Sequence, residues 1–272
     1  IGSEIIDCAL NCLHEIEKIK KIKFNFIEYK GKAPATYYSD EAYLNLKKFY
    51  KEIRAKRGCI LRAAIYARIV YKLRAEFNSI FKPIYFVPIP ELFDNSLVKR
   101  EIVENMNILL IRENSQGLLF SKERLEEKRG QRIFHGTFTY EENKIKELVK
   151  YAFAQAQNRR KILNLFIKGD LWRKLAPLWL ETVESVSKEY PDIKFDWDHA
   201  DTGFADLIHN PKKYDVIVAL GIAGDLIADP LGTLLYGSHA IIPSANISPD
   251  GFMVFQTVHG TAYAIAGQNK AN

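Results

Sequence analysis

Cysteine is scarce in this sequence: its 272 residues include only Cys8, Cys12 and Cys59. Three cysteines at such uneven spacing do not provide the paired framework of a disulfide-stapled secreted domain. Cys8 and Cys12 share one helical face, but no further cysteine or histidine is spaced to complete a zinc site with them. We therefore expect reduced thiols in the core of a protein from a cytosol-like compartment.

Long apolar stretches are also missing. No run approaches the roughly 20 apolar residues that span a bilayer, and no secretory signal opens the sequence. The chain has no internal repeat and no low-complexity linker. We therefore expect a cytoplasmic protein, or a mitochondrial matrix protein if the source is eukaryotic, with no membrane partner.

The composition allows a sizeable core, because apolar residues make up 47 % of the chain. This length suits one large domain or two modest ones. The formal net charge is +6, and nucleic acid is one partner of basic chains. Here, however, the lysines and arginines are spread along the sequence, and the densest run, residues 18–23, is typical of a solvated helix end. Because an anionic small-molecule substrate fits the charge equally well, we predict such a substrate and no nucleic acid.

Helical and strand-like segments alternate along the chain, which is typical of an α/β fold. Ser3 is a candidate N-cap for the first helix, which carries an apolar stripe. The predicted helices cover residues 3–16, 40–54, 145–161 and 171–190. The predicted strands cover residues 22–26, 107–112, 162–167 and 215–220.

The segment with the clearest chemistry is NPKKYDVIVALGIAGDLIAD at residues 210–229. A strand leads through a glycine turn into a helix. Asp225 and Asp229 share one face of this helix, because they are four residues apart. Two converging carboxylates suit a hard divalent cation such as Mg²⁺ or Mn²⁺. Spacing alone leaves open the alternative that they complement the helix macrodipole. Pro230 disfavours ideal helix directly after Asp229.

Several ordered segments resemble one enzyme family. The segment just described reads N-P-x-x-Y-D-V-I-V and then G-D-x-x-x-D, and the tail contains V-H-G-[ST]-A followed by I-A-G and A-N. Upstream, IRENSQG is similar to the strand end R-E-N-x-x-G, IKGD to the lysine motif K-[AG]-N, and IGSEI to I-G-[PS]-E. In this order the segments resemble the isocitrate/isopropylmalate dehydrogenases, which are β-decarboxylating dehydrogenases, most closely from about residue 100 onward.

The resemblance implies a metal site and two proton-transfer residues. The metal ligands would be Asp201, Asp225 and Asp229, with Mg²⁺ or Mn²⁺ as the ion. Tyr140 matches the family's catalytic tyrosine, and Lys168, at the end of an apolar strand, matches its catalytic lysine. Partial burial of Lys168 beside the metal would tune it for proton transfer. Taken alone, Asp201 is also a candidate helix N-cap, and Tyr140 a packing residue.

The same resemblance assigns residues to the substrate and to the nucleotide. Arg112 would hold a substrate carboxylate through bidentate hydrogen bonds. Arg74 and Lys82 resemble two further substrate positions, the second of which is usually an arginine. The nucleotide-binding residues would be His259, Gly260, Thr261, Ala262, Ile265 and Asn272. Ile265 favours NAD, and NADP stays possible.

The architecture implied is a two-domain α/β fold of the isopropylmalate dehydrogenase type. It is not a Rossmann fold, because the chain lacks G-x-G-x-x-G. The large nucleotide-binding domain would comprise residues 1–82 and 236–272, and residues 83–235 would form the small domain with the metal and substrate residues and the dimer interface. In the implied homodimer, Asp201 and Lys168 of each subunit serve the site of the other.

The implied reaction is metal-dependent oxidation of a 2-hydroxy acid, such as isocitrate or 3-isopropylmalate, by NAD(P), followed by loss of CO₂ and protonation of the enol by Tyr140. Two alternatives stay open. The R-E-N motif is closer to the isocitrate and malate/tartrate groups, so D-malate or tartrate is a second substrate class. The other alternative is a non-catalytic regulatory homologue, which the departures at Gly221, Pro230 and Ala264 favour.

Overall fold

A computed structural model describes residues 2–34, 36–268 and 270. The helices are α1 (Gly2–Lys20), α2 (Asp40–Ala55), α3 (Ala67–Glu76), α4 (Arg100–Val103), α5 (Glu142–Gln157), α6 (Leu175–Ser187), α7 (Ala200–His209) and α8 (Gly221–Tyr236). The strands are β1 (Ile60–Arg62), β2 (Phe81–Phe86), β3 (Ile108–Glu113), β4 (Lys122–Lys128), β5 (Gln131–Thr137), β6 (Ile162–Phe166), β7 (Lys194–Asp198), β8 (Val216–Ala219), β9 (Ala245–Ile247) and β10 (Met253–Gln256).

Eight of these strands form one mixed sheet in the order β1-β10-β9-β2-β3-β8-β6-β7, while β4 and β5 form a separate hairpin. The neighbours β3, β8, β6 and β7 are parallel, so their carboxyl ends meet at one edge of the sheet. β2 runs antiparallel to both β3 and β9. This mixed sheet confirms the predicted fold class and differs from a Rossmann sheet.

Helices cover both faces of the central strands, because these strands are apolar on both sides. Leu109 and Ile111 of β3 belong to the core cluster that contains the buried residues of α5 and α6. Ile108 and Leu110 belong to a second cluster with α8. The alternation follows from the two-residue period of a strand. Packing on both faces fixes the carboxyl edge of β3, β8 and β6, where several predicted site residues lie.

A third core cluster lies at the other end of the sheet, where α2 and α3 pack against β1 and β10. Its aromatic members Tyr50, Phe77 and Phe252 contact one another.

The predicted domain boundary between residues 82 and 83 falls inside β2, which pairs with strands on both sides. The division into a large and a small domain stays a prediction.

The predictions for the buried elements are confirmed, with α2, α5, β3, β6 and β8 close to their expected ranges. Two details are wrong. α6 begins at Leu175 rather than at Leu171. α8 continues through Pro230 to Tyr236, so the disturbance expected after Asp229 is not found. The proline costs one backbone hydrogen bond, but the buried residues of α8 on both sides of it hold the helix in place.

The amino-terminal region differs most from the prediction. Residues 22–26 form no strand, and in the described chain no neighbouring strand pairs with them. Ile22 is 49 % exposed and Phe26 45 %. An alternating segment needs a partner for its backbone groups before it becomes a strand. Ser3 lies inside α1 rather than at its cap.

The three cysteines are exposed, so the expectation of core thiols is wrong. Cys8 and Cys12 lie on α1, which has no fully buried residue, and Cys59 directly precedes β1. None of the described helices combines the length and the hydropathy needed to cross a membrane.

Candidate active site

Three basic side chains meet where β2 and β3 run side by side. Lys82 lies directly opposite Arg112 in the antiparallel pairing, and opposed residues project from the same face of a sheet. Arg74, in the last turn of α3, adds a third charge that acts on both. The exposed fractions are 7 % for Arg74, 5 % for Lys82 and 2 % for Arg112. The structure thus brings together the three predicted substrate residues, which we call the cation cluster.

Arg112 has a carboxylate partner on α8. Its Nη1 donates a hydrogen bond to Oδ1 of Asp225. A glycine makes this approach possible, because a Cβ on Gly224 would lie 2.8 Å from Cγ of Arg112, well inside the usual carbon–carbon contact distance of about 3.5–4.0 Å. Helix α8 therefore packs directly on the stem of the arginine and places Asp225 at its head.

Arg74 and Lys82 have no such partner. Among the described residues neither side chain has a hydrogen bond or ion pair, and Nε of Arg74 is buried without an acceptor. Burial, reinforced by the neighbouring cations, lowers the pKa of Arg74 and holds the pKa of Lys82 well below its ordinary value. Buried charges without partners are costly, so the cation cluster is suited to a ligand that carries carboxylates.

Helix α8 presents the two predicted metal carboxylates. Asp225 and Asp229 lie about one turn apart in continuous helix. Two carboxylates supply only part of the oxygen shell of Mg²⁺ or Mn²⁺. Across the described ranges, no three histidine, cysteine or acidic side chains are arranged to hold a metal. Asp201, the predicted third ligand, lies elsewhere.

Lys168 and Asp201 form a separate pair beyond the ends of β6 and β7. Lys168 Nζ donates to Asp201 Oδ2 at 2.8 Å, and Asp170 Oδ1 lies 3.5 Å away. The hydrogen bond between them raises the pKa of Lys168 and lowers the pKa of Asp201. The Lys168 side chain is 38 % exposed, which agrees with the partial burial that was expected, but its carboxylate neighbours are Asp201 and Asp170 rather than the aspartates of α8. Asp201 lies in the first turn of α7, whose N-cap is His199.

Strand order separates this pair from the helix with the other two aspartates. β6 and then β7 follow β8 across the sheet, and neighbouring strands lie about 4.8 Å apart. Asp201, beyond β7, is therefore displaced by two strands, or on the order of 10 Å, from the strand that leads to Asp225. Within one chain, the Lys168–Asp201 pair and the α8 carboxylates stand apart along the same edge.

Tyr140 lies immediately before α5, and its hydroxyl packs so closely against Gly117 that a Cβ there would overlap it. Gly117 also has a φ of +77°, which favours glycine. The ring contacts Phe138 and Trp179. Burial, and then the charge of Glu113, raise the pKa of Tyr140. The hydroxyl therefore keeps its proton at neutral pH.

Glu113 is a buried acid for which no role was predicted, although it is the glutamate of the R-E-N motif. It is 0 % exposed. Its Oε1 accepts hydrogen bonds from the backbone N (2.7 Å) and the hydroxyl (3.0 Å) of Ser115, while Oε2 has no partner in the described chain. Burial raises the pKa of Glu113 to about 7. The available sequence signal was an acidic residue directly after Arg112, at the end of a strand that is apolar up to that point.

The predicted nucleotide loop borders a cavity of about 360 Å³. From this loop, the cavity is lined by His259, Gly260, Thr261 and Tyr263. The remaining lining is mostly apolar and aromatic and comes from α1, α2, β1 and the adjoining loops. Ala262 adopts a left-handed conformation, and Ile265 ends the 3₁₀ turn that follows it. Asn272 lies outside the described residues. A concave apolar cavity bordered by glycine backbone fits a heterocyclic ligand.

This fold and these sites agree with one class of protein. The sequence profile of the isocitrate/isopropylmalate dehydrogenase family matches residues 1–272. The chain therefore belongs to this family of oxidatively decarboxylating dehydrogenases, which confirms the resemblance.

Individual relatives point the same way. The chain is 32 % identical over 289 residues to the 3-isopropylmalate dehydrogenase of Carboxydothermus hydrogenoformans, covering 100 % of this chain and 75 % of the relative. It is 36 % identical over 183 residues to that of Priestia megaterium, covering 66 % of this chain and 49 % of the relative. The crystal structure of isocitrate dehydrogenase from Methylococcus capsulatus superposes with a TM-score of 0.71 at 24 % identity, over 86 % of this chain and 67 % of that one. At that identity the likeness shows the fold alone.

Proposed function

We propose that this protein oxidises a 2-hydroxy acid with a nicotinamide nucleotide and a divalent metal ion, and then decarboxylates the product. The observation that carries the proposal is the cation cluster, with Asp225 at its edge. Buried positive charge for substrate carboxylates stands there beside a carboxylate that fits a metal ligand. The substrate is a hydroxy acid with two or more carboxylates, such as 3-isopropylmalate, which the names of the relatives specify, or isocitrate.

The metal site would be completed by a second copy of the chain. Asp225 and Asp229 fit two ligands of Mg²⁺ or Mn²⁺, and Asp201 of a partner subunit would supply a third. The β4–β5 hairpin supports a homodimer, because its Leu125 is 56 % exposed and its Phe134 63 %. A lone two-stranded hairpin is marginally stable in water, so a second copy covering it would stabilise it.

The nucleotide would lie in the cavity beside His259, Gly260 and Thr261, with Ala262 and Ile265 shaping the loop. We favour NAD over NADP. When bound, the nicotinamide supplies the hydride acceptor and the metal ion supplies the Lewis acid.

The remaining chemistry falls to side chains of this protein. Arg112 and Arg74 orient the substrate carboxylates through their guanidinium groups, and Lys82 adds a point charge. The hydrogen-bonded pair of Lys168 and Asp201 would remove the hydroxyl proton through water, acting in the site of the partner subunit. Tyr140 would then donate a proton to the enol carbon left by loss of CO₂.

A second substrate class keeps a specific observation in its favour. The R-E-N motif at residues 112–114 is closer to the isocitrate and malate/tartrate groups than to the isopropylmalate enzymes, so D-malate or tartrate is the second substrate class. For a non-catalytic homologue, the argument from Pro230 is lost because α8 is continuous. The departures from the family pattern at Gly221 and Ala264 still favour the non-catalytic homologue.

The experiment is a nucleotide-reduction assay with isocitrate, 3-isopropylmalate, D-malate and tartrate, each with NAD and NADP and each with and without Mn²⁺. We expect Mn²⁺-dependent reduction with one of these acids. A folded, dimeric protein that reduces neither nucleotide with any of them would contradict the proposal and favour the non-catalytic homologue.

A further inference from the structure

Arg62, at the end of β1, is a cation that the cation cluster does not include. Its Nη1 donates to the carbonyl oxygen of Ala63 at 3.1 Å, and its Nη2 donates to Oε1 of Gln256. Both acceptors are neutral. Its Nε is buried without an acceptor, and no carboxylate of the described chain pairs with it. The positive charge of Arg62 is therefore left without a counter-charge in a half-buried position.

This charge lies on the wall of the nucleotide cavity. Among the described residues that line the cavity, Arg62 is the one lysine or arginine, and none is acidic. The hydroxyls of Tyr29 and Tyr50, also on the wall, are buried without a hydrogen bond, and the Tyr50 hydroxyl is close enough to Arg62 for the two side chains to interact. Most of the remaining wall is apolar or aromatic. The cavity thus suits a ligand with a flat ring system and an anionic group, which describes a nucleotide better than a nucleoside.

Arg62 also stands between the nucleotide cavity and the cation cluster. Tyr50 and Arg62 line a second, much smaller cavity, and Arg74 lines it too. The two guanidinium groups are close enough for the charge of Arg62 to lower the pKa of Arg74, after the larger effects of burial and Arg112. A dinucleotide that places one ring in the large cavity and the other beside the substrate carries its diphosphate between the two rings. Arg62 occupies that intermediate region.

We propose that Arg62 binds a phosphate group of the nucleotide, so that the cavity selects phosphorylated nucleotides over free nucleosides. The proposal rests on the proposed use of NAD(P). A guanidinium group with a free buried N–H and no carboxylate partner is suited to a phosphate oxygen. Gln256 holds the guanidinium group in place and leaves its positive charge intact. An acidic residue at that position would neutralise the charge.

The test measures the dissociation constants of NAD, NADP and adenosine by calorimetry on the full chain, with and without Arg62→Gln. We expect the substitution to weaken dinucleotide binding by about ten- to a hundredfold, the loss typical of a hydrogen bond to a charged group. Adenosine binding should change by less than about twofold, because it carries no phosphate. Equal losses for NAD and NADP would assign Arg62 to the diphosphate, and a loss for NADP alone would assign it to the 2′-phosphate.

Two further variants control the measurement. Arg57→Gln removes the same charge from an exposed residue in the turn before β1 and should leave all three constants unchanged. Arg62→Lys keeps the charge but not the fork of donors, so its loss should be intermediate. If thermal unfolding shows that the Arg62→Gln protein is not folded, Arg62→Lys becomes the test variant.

An equal loss of adenosine and dinucleotide binding would show that Arg62 only shapes the cavity, and the proposal would fail. It would also fail if Arg62→Gln bound the dinucleotides as tightly as the wild type, while the proposed function survived. A wild type that binds neither NAD nor NADP would overturn the cofactor assignment and this proposal together.

Discussion

Lys82 offers a direct test of the cation cluster, because the structure predicts opposite effects of one substitution on stability and on substrate binding. Lys82→Met keeps the length of an unbranched side chain and removes its charge. In the absence of substrate, Lys82 is buried beside Arg74 and Arg112 with no ion-pair partner in the described chain. The ligand-free protein should therefore become more stable when the charge is removed, while the affinity for a carboxylate substrate should fall.

The expected gain follows from the cost of a buried charge. Replacing buried ion pairs by apolar residues of similar volume stabilises some proteins by about 1–4 kcal/mol, and we expect a gain in this range for Lys82→Met. In a chain of this size each kcal/mol raises the unfolding midpoint by about 2–4 °C. The gain should also depend on pH. Because burial lowers the pKa of Lys82 in the folded state, the folded protein binds this proton less tightly than the unfolded chain does. The destabilisation is full below the lowered folded pKa and fades as the pH rises toward the ordinary lysine value of about 10.4.

The assay is urea unfolding of the wild type and Lys82→Met at about pH 7 and about pH 10, with substrate titrated at the lower pH. The variant should be the more stable protein at the lower pH, and the difference should shrink at the higher pH. Lys48→Met, at an exposed position on α2, is the matched control and should change neither quantity. A Lys82→Met protein that is less stable than the wild type without ligand would refute the reasoning, because it would show that the Lys82 charge is already compensated.

Three further predictions concern the proposed reaction. Mixing inactive Asp201→Asn and Asp225→Asn proteins should restore part of the activity, because one site of each mixed dimer carries neither change; a mixture that stays inactive although subunits exchange would contradict the shared site. Tyr140→Phe and Lys168→Met should each lower kcat by about 10²- to 10⁴-fold with little change in KM, and steady-state losses well under tenfold in both would remove them from the mechanism. Gly224→Ala should weaken substrate binding and lower the free energy of unfolding in urea by about 1–3 kcal/mol, because the added carbon would lie 2.8 Å from Cγ of Arg112. Wild-type substrate affinity and wild-type stability would mean that α8 does not hold Arg112.

Local patterns in the sequence identified several of the buried elements, although the buried strand β2 was not predicted. The runs at residues 107–112, 162–167 and 215–220 are mostly apolar on both faces, which is typical of central strands. The helical period from Ile145 onward identified α5 in the same way. The order of short motifs along the chain identified the family, because their combination is far more specific than any one of them.

The arrangement of the candidate site depends on contacts between residues far apart in the chain. Lys82 faces Arg112 only because β2 pairs with β3 in one register, and a register shift of one residue would turn it to the other face. The separation of Asp201 from Asp225 follows from the order of β8, β6 and β7 across the sheet. The sequence contains the same aspartates whatever that order is.

Other features needed a partner that no local pattern specifies. Residues 22–26 have the alternation of a strand but no described neighbour to pair with them. Helix α8 passes through Pro230 because residues before and after the proline are buried in the core. The unpaired charges of Arg62 and Arg74 and the buried acid Glu113 are ordinary residues in the sequence. They become notable only where folding removes water and brings no counter-charge. The sequence by itself determined several buried elements and the family. The tertiary structure alone decided which charges are buried together, because burial and pairing depend on the whole fold.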